Sequence, residues 1–330
     1  ATFRRTVRQP MIRDLLQLSK ARLCMMVLVT TLVGYLLAVP AVDWTVLLAT
    51  LAGTMLTAFG ANALNQYRER DVDRLMERTR ERPLPAGRLR ADVALVYGLG
   101  VSLMGTFVLL AWAGWLPAAI AAGTILLYVL VYTPLKRVAT TNTLMGAVCG
   151  ALPPLIGWSA GAGHIDRGGW LLFALLFVWQ MPHFLALAWM YREDYARAGL
   201  RMLPVVDPGG RLTFPVMVVF ALLHVPLGLL ITLSGVAGPW FALGSLLLGL
   251  WWFRLGLKLY RSHSDHDARR VFLASLAYLP LALVLMVADS GLGRAEDVWL
   301  ESSPRGHRSV SAAGDRTAPA TGPAGGEVMR

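Results

Sequence analysis

Residues 65–83 read NQYRERDVDRLMERTRERP and follow WTVLLATLAGTMLTAFGANAL, residues 44–64, with no turn residue between them. An apolar run long enough to cross a bilayer therefore feeds straight into five acids and six arginines. Since about 20 apolar residues span the hydrocarbon core, the junction marks where one helix leaves the membrane. Asn65, Glu69 and Asp73 are spaced by four, so on a helix they drift by only about 40° per step and share one face over about 12 Å of axis. Oxygen donors gathered at a helix end suit Mg²⁺, a hard cation that keeps several waters and is commonly shared with phosphates. Asp71 points away from that face. The same spacing also fits a solvated extension in which Glu69 pairs with Arg70 or Arg74 and Glu77 with Arg78.

The rest of the chain has the composition of a bilayer protein. Of 330 residues, 56% are hydrophobic and 15% charged, and the mean hydropathy is positive, outside the range of ordinary soluble domains. Nine apolar runs are expected to span, at roughly 23–39, 44–65, 92–112, 115–133, 142–160, 170–190, 213–234, 239–257 and 271–288. Lysine and arginine precede the first run and follow the second, fourth, sixth and eighth, whereas the gaps after the first, third and seventh hold none. By the positive-inside rule the N-terminus and the even-numbered loops are cytoplasmic. The formal charge of +11 lies in these short segments and reads as a topology signal, so no nucleic-acid partner is expected.

No short apolar region with a small-residue cleavage site follows the basic stretch ATFRRTVRQPMIRDLLQLSKAR, so the first run is expected to remain as a membrane helix. The expected organisation is a basic cytoplasmic segment (1–22), a transmembrane domain (23–290) and a disordered tail (291–330) that lacks an apolar face. Cys24 and Cys149 lie far apart inside apolar runs and read as packing residues. Gly146 and Gly150 suit close helix contact in lipid. In ALPPLIG (151–157), two adjacent prolines remove backbone donors in mid-span and should break the helix, most simply beside a cavity.

The sixth run ends by repeating Tyr67-Arg68-Glu69 as Tyr191-Arg192-Glu193, with Asp194 next. Both copies sit at cytoplasmic ends, where two acidic clusters can face one diphosphate. Lys136, Arg137 and Asn142, in the loop between, fit phosphate binding or topology equally well. His183 lies at membrane depth, where a histidine faces a cavity or a partner rather than lipid. It precedes Asp194 by about three helical turns, about 16 Å deeper, and reads either as a residue beside a hydrophobic acceptor or as an interhelical hydrogen bond.

The segments ANALNQYRERDVDRLMERTRERPLPAGRL, YTPLKRVATTNTLMGAVCGALPPLIGW and WQMPHFLALAWMYREDYARAGLRMLPVV, with SKAR before the first run, resemble the UbiA superfamily of intramembrane prenyltransferases and, within it, the haem-farnesylating branch. The resemblance covers residues 12–290. It implies an all-α membrane protein with nine transmembrane helices in a UbiA-type bundle, Mg²⁺ as cofactor, and farnesyl diphosphate and haem B as substrates. It also implies an inner-membrane location, with haem A synthase or terminal oxidase assembly proteins as possible neighbours. Carried over residue by residue, Asn65, Glu69, Asp73 and Asp194 form the Mg²⁺–diphosphate set. Lys20, Arg22, Arg78, Arg82, Lys136, Arg137, Asn142 and Arg192 are expected around the substrates, with His183 at the acceptor end. Arg78, Arg82 and Arg88 are expected either to close over the site or to meet haem propionates. Gln66 stands where many superfamily members carry an acid. Two other readings fit less of the pattern: prenylation of a quinone precursor, and a transporter lined by His183, Gln180 and the ALPPLIG break.

Overall fold

The computed structural model describes residues 11–302. Among them no strand occurs, and nine helices are long and apolar enough to cross a membrane: Ala21–Ala38, Trp44–Asp73, Ala91–Ala113, Trp115–Val138, Asn142–Ala162, Arg167–Met190, Thr213–Leu233, Pro239–Ser262 and Asp265–Gly291, here spans one to nine. Their number and order match the nine expected runs. A short amphipathic helix, Met11–Leu18, precedes span one. The helix of span nine continues to Ser302, past the boundary expected at 290; the remainder of the expected tail lies outside the described residues.

In lipid there is little hydrophobic drive between helices, so close van der Waals approach must hold them. Spans two and three meet through small residues, with Gly53, Thr57 and Gly60 facing Gly98, Ser102 and Gly105. A Cβ at Gly105 would stand 2.6 Å from the Gly53 carbonyl oxygen, and one at Gly60 would stand 2.7 Å from that of Gly98. Spans one and five close up in the same way, where Gly34 faces the Pro154 carbonyl and Gly157 that of Thr31.

Span two is a single helix of 30 residues, about 45 Å at 1.5 Å per residue, against a hydrocarbon core of about 30 Å. Its last turns thus leave the core yet stay covered by protein. Asp43 caps its start, accepting from the Thr45 and Val46 amides at 2.8 and 3.1 Å. Span five is broken as the prolines dictate, into Asn142–Ala151 and Pro153–Ala162 with Leu152 between. Span four widens into a π-helical stretch at Leu127–Tyr132, a geometry with one extra residue per turn that is frequent at functional sites. It stacks Tyr128 on Tyr132, their ring centroids 5.3 Å apart.

These distortions surround an apolar chamber of about 350 Å³ walled by spans one, two, four, five, six and nine. Gly146, Cys149, Gly150 and Pro153 line it from the broken span. The two glycines leave room for the Tyr132 ring and the Gln180 amide, so they serve close approach at the chamber wall. Leu23 and Met26 on span one, and Leu276 and Pro280 on span nine, line the chamber and are also exposed at the bundle surface, which leaves a sideways mouth between those two spans.

Candidate active site

Where span two emerges, Asn65, Glu69 and Asp73 are 1%, 9% and 0% exposed. Asp71 is exposed and lies 3.9 Å from Arg70 and from Arg74. Glu69 pairs with neither arginine; its Oε1 accepts from Lys136 Nζ at 2.8 Å. The solvated-extension reading therefore fails: this is an internal stripe, and its charges need partners because water is excluded. Asp73 Oδ2 accepts from Arg82 at 2.8 Å. Lys136 also stands over the Tyr132 ring at 4.5 Å, which joins the stripe to the chamber. Ala58, Ala61 and Asn62, on the preceding turns of the same helix, line that chamber.

A hydroxyl relay fixes the Asn65 amide. Thr133 Oγ1 donates to the Tyr128 carbonyl at 2.7 Å, across the wide turn of span four, so its oxygen is left to accept. Asn65 Nδ2 donates to it at 3.0 Å, and the amide oxygen must face the other way. Asn65 Oδ1 and Asp73 Oδ1 are both buried without a hydrogen-bond partner. Orphaned acceptors at such depth are costly, and these two lie on the same helix face as Glu69. Two unpartnered oxygens and the Glu69 carboxylate on one face form the hard-oxygen donor set that Mg²⁺ prefers, so the residues present fit that ion.

Gln66 explains its own departure from acid. Its Nε2 donates to the Leu18 carbonyl at 2.5 Å and to the Gln17 carbonyl at 3.4 Å, a task no carboxylate performs. Arg88 also grips this segment, bonding Asp14 at 3.0 Å and Gln17 Oε1 at 2.9 Å, and so neither closes over the stripe nor stands free for a propionate. Together they hold the turn at Lys20, which adopts left-handed φ 49°, ψ 50°. Burial, then the nearby Arg82 and Lys136, push the Lys20 amine down to about 8 against the pull of Glu69 and Asp73. Glu69 and Asp73 already have cationic partners, which leaves Lys20 as the surplus positive charge of the cluster.

The second motif is arranged differently from the expectation. The helix stops at Tyr191 and restarts as Arg192–Arg197. Asp194 turns its carboxylate to Arg197 and to the Glu77 backbone N–H. Its partial burial works against ionisation but is outweighed by Arg197 and the Glu77 and Arg78 amides, which hold the carboxyl below its usual range. Glu193 is exposed. Among the described residues no three acids, histidines or cysteines converge, so Asp194 does not join Glu69 and Asp73 in this arrangement. What the two helix ends share is packing, with Val72 and Met76 against Ala188, Tyr195 and Leu200. Arg78 seals it, donating to the Tyr195 hydroxyl at 2.5 Å and stacking on the Tyr191 ring at 4.9 Å.

Four further positions are committed elsewhere or stand apart. Arg192 binds Asp265 at 2.7 Å and the Trp189 carbonyl at 2.7 Å, tying span six to span nine. Asn142 gives its amide to the Ala139 and Arg201 carbonyls at 2.6 and 3.0 Å and so builds the loop instead of facing a phosphate. Arg22 and Arg137 are exposed. His183 makes the expected interhelical hydrogen bond, Nδ1 to Ser275 Oγ at 2.7 Å on span nine, and the residue also lines the chamber. Sequence reasoning missed Thr133, Ser275 and the positioning role of Gln66. A threonine or serine in a membrane helix gives no signal by itself.

A buried stripe of oxygen donors ringed by cations, at the head of a greasy chamber inside a nine-helix bundle, is the plan of an intramembrane prenyltransferase. Residues 27–279 match the UbiA prenyltransferase family, to which the chain belongs. A protoheme IX farnesyltransferase of Solibacter usitatus (strain Ellin6076) is 43% identical over 287 residues, covering 84% of this chain and 98% of its own. Among solved structures, one described under digeranylgeranylglyceryl phosphate synthase superposes with a TM-score of 0.73 at 16% identity, over 86% of this chain and 99% of its own. A UbiA homolog from Archaeoglobus fulgidus bound to GPP and Mg²⁺ superposes with a TM-score of 0.61 at 16% identity, over 83% and 99%. Both share the fold.

Proposed function

We propose that the chain transfers the farnesyl group of farnesyl diphosphate to a vinyl group of haem B, with addition of water, to give haem O. The observation that carries the reaction type is the continuity of the acid stripe with the apolar chamber, which provides for a charged head and a hydrocarbon tail along one helix. The 43% identical relative supports haem as the acceptor.

In this reading Asn65, Glu69 and Asp73 would hold Mg²⁺, with Asp194, on the neighbouring helix end, as a further candidate ligand. Bound there, the ion supplies Lewis-acid stabilisation of charge on the diphosphate. Lys20, Lys136 and Arg82 surround the head group and stabilise the charge that builds on the leaving oxygen as the allylic C–O bond breaks, where fixed cations in a water-poor site act most strongly. The bonding pair departs with the diphosphate. The vinyl π electrons form the new C–C bond to the farnesyl carbon, and water adds to the carbon beside the porphyrin ring and gives up a proton. Tyr128, Tyr132 and Trp179 on the chamber wall keep bulk water from the electrophile until the vinyl group arrives. Transport fits less well, because Gln180, at the chamber wall, has its amide tied to the Ala147 and Leu176 carbonyls. The site opens to the cytoplasmic side of the cell membrane, with haem A synthase or terminal oxidase assembly proteins as neighbours.

Incubating membranes that contain the protein with haem B, farnesyl diphosphate and Mg²⁺, followed by mass analysis of extracted haems, tests the proposal. A Mg²⁺-dependent gain of one farnesyl group plus water supports it. Diphosphate release with unmodified haem, or prenylation of a quinone precursor instead, overturns the haem assignment.

A further inference from the structure

His183 stands on the chamber wall with its proton position settled by a neighbour. Ser275 Oγ donates to the Phe272 carbonyl at 2.5 Å, and a hydroxyl has a single proton to give. Ser275 therefore accepts from His183 Nδ1 at 2.7 Å, and the proton of the neutral imidazole lies on Nδ1. Nε2 keeps its lone pair and makes no hydrogen bond among the described residues. The ring cannot turn away, because it is sandwiched between Trp179 and Phe272, each with its ring centroid 4.9 Å distant. Trp179 is itself held by a hydrogen bond to the Ser275 carbonyl at 2.9 Å.

An interhelical bond needs only Nδ1. It does not require a second, basic nitrogen at the wall of an apolar chamber, where an unpaired acceptor is costly. A neutral imidazole whose Nδ1–H is anchored by a neighbour, leaving Nε2 open, is the usual form of a metal-ligating histidine, and imidazole is a common axial ligand of haem iron.

On the reading of haem B as acceptor, we infer that His183 Nε2 is an axial ligand of the substrate haem iron, with Ser275 as the positioning residue that sets its tautomer. Ligation at the iron anchors the porphyrin at its centre and leaves a vinyl edge to meet the farnesyl carbon. The ring nitrogen takes no part in bond making or breaking.

The test uses the full chain in lipid nanodiscs with haem B, followed by visible absorption and electron paramagnetic resonance. The wild type is expected to show an imidazole-ligated spectrum. His183→Ala is expected to lose that spectrum, to bind haem at least about tenfold more weakly, and to regain the spectrum with added imidazole. Metal-free protoporphyrin IX provides the control. The wild type should prefer haem over it by about tenfold or more, and His183→Ala should bind the two alike. Ser275→Ala, which retains the ligand, should weaken haem binding while leaving binding of metal-free protoporphyrin unchanged. An unaltered spectrum and affinity in His183→Ala, or a wild type indifferent to iron, overturns the inference while haem stands as acceptor. If the wild type binds no haem yet still releases diphosphate, the acceptor reading itself falls and the inference falls with it.

Discussion

Lys20 holds a left-handed backbone that costs a residue with a Cβ about 1–2 kcal/mol, and the grip of Gln66 and Arg88 on the preceding segment keeps it there. Its amine sits near 8. It is cationic below that pH and neutral above it, so capture of an anionic head group is lost as pH rises through about 8. The alkaline limb of kcat/KM, which reports the free enzyme, should lie there, and Lys20→Arg should move it upward. Lys20→Gly should relieve the strain while lowering kcat/KM, giving a protein that melts later and works worse. At the metal-facing end, Asp73→Asn should abolish prenyl transfer with the protein still folded in membranes; full activity in that variant would remove the metal-site reading. Thr133→Val, which frees the Asn65 amide to rotate, should raise the Mg²⁺ concentration needed for half-maximal rate by about tenfold or more. At this scale the sequence shows which residues carry charge but not how they pair. The spacing by four places Asn65, Glu69 and Asp73 on one face, yet Lys136 is 67 positions from Glu69, and only the fold makes it the partner. Asn142 is as polar as Asn65, and its commitment to two backbone carbonyls is invisible until the loop is seen.

The elements were more legible. Hydropathy marks each span because the bilayer imposes a length on it, and two adjacent prolines must interrupt backbone hydrogen bonding wherever they fall. The π turn of span four leaves no such mark, since one extra residue in a wide turn changes neither composition nor overall period. Packing of spans two and three depends on glycines that admit no side chain. Gly105→Val places atoms against the Gly53 carbonyl and the Thr57 amide and should destabilise by about 1–3 kcal/mol, as overpacking does. Thermal unfolding in detergent measures this, and an unchanged midpoint would mean that the helices can separate without loss.

For the whole molecule, the division of labour between the two ends of one cavity has a separable readout. Chelation of Mg²⁺ should stop farnesyl transfer and leave the haem absorption spectrum in place, because the oxygen stripe and His183 belong to different spans and different depths. Simultaneous loss of both would mean that the bundle itself needs the ion. The mouth between spans one and nine carries a further consequence. A chamber that fills from the side draws its hydrophobic substrate from a two-dimensional pool, whose concentration is a mole fraction in lipid and not an amount per volume. Diluting the vesicles with buffer should scarcely change turnover per enzyme, whereas fusing them with substrate-free lipid should slow it in proportion, so membrane area acts on this reaction as volume does on a soluble one.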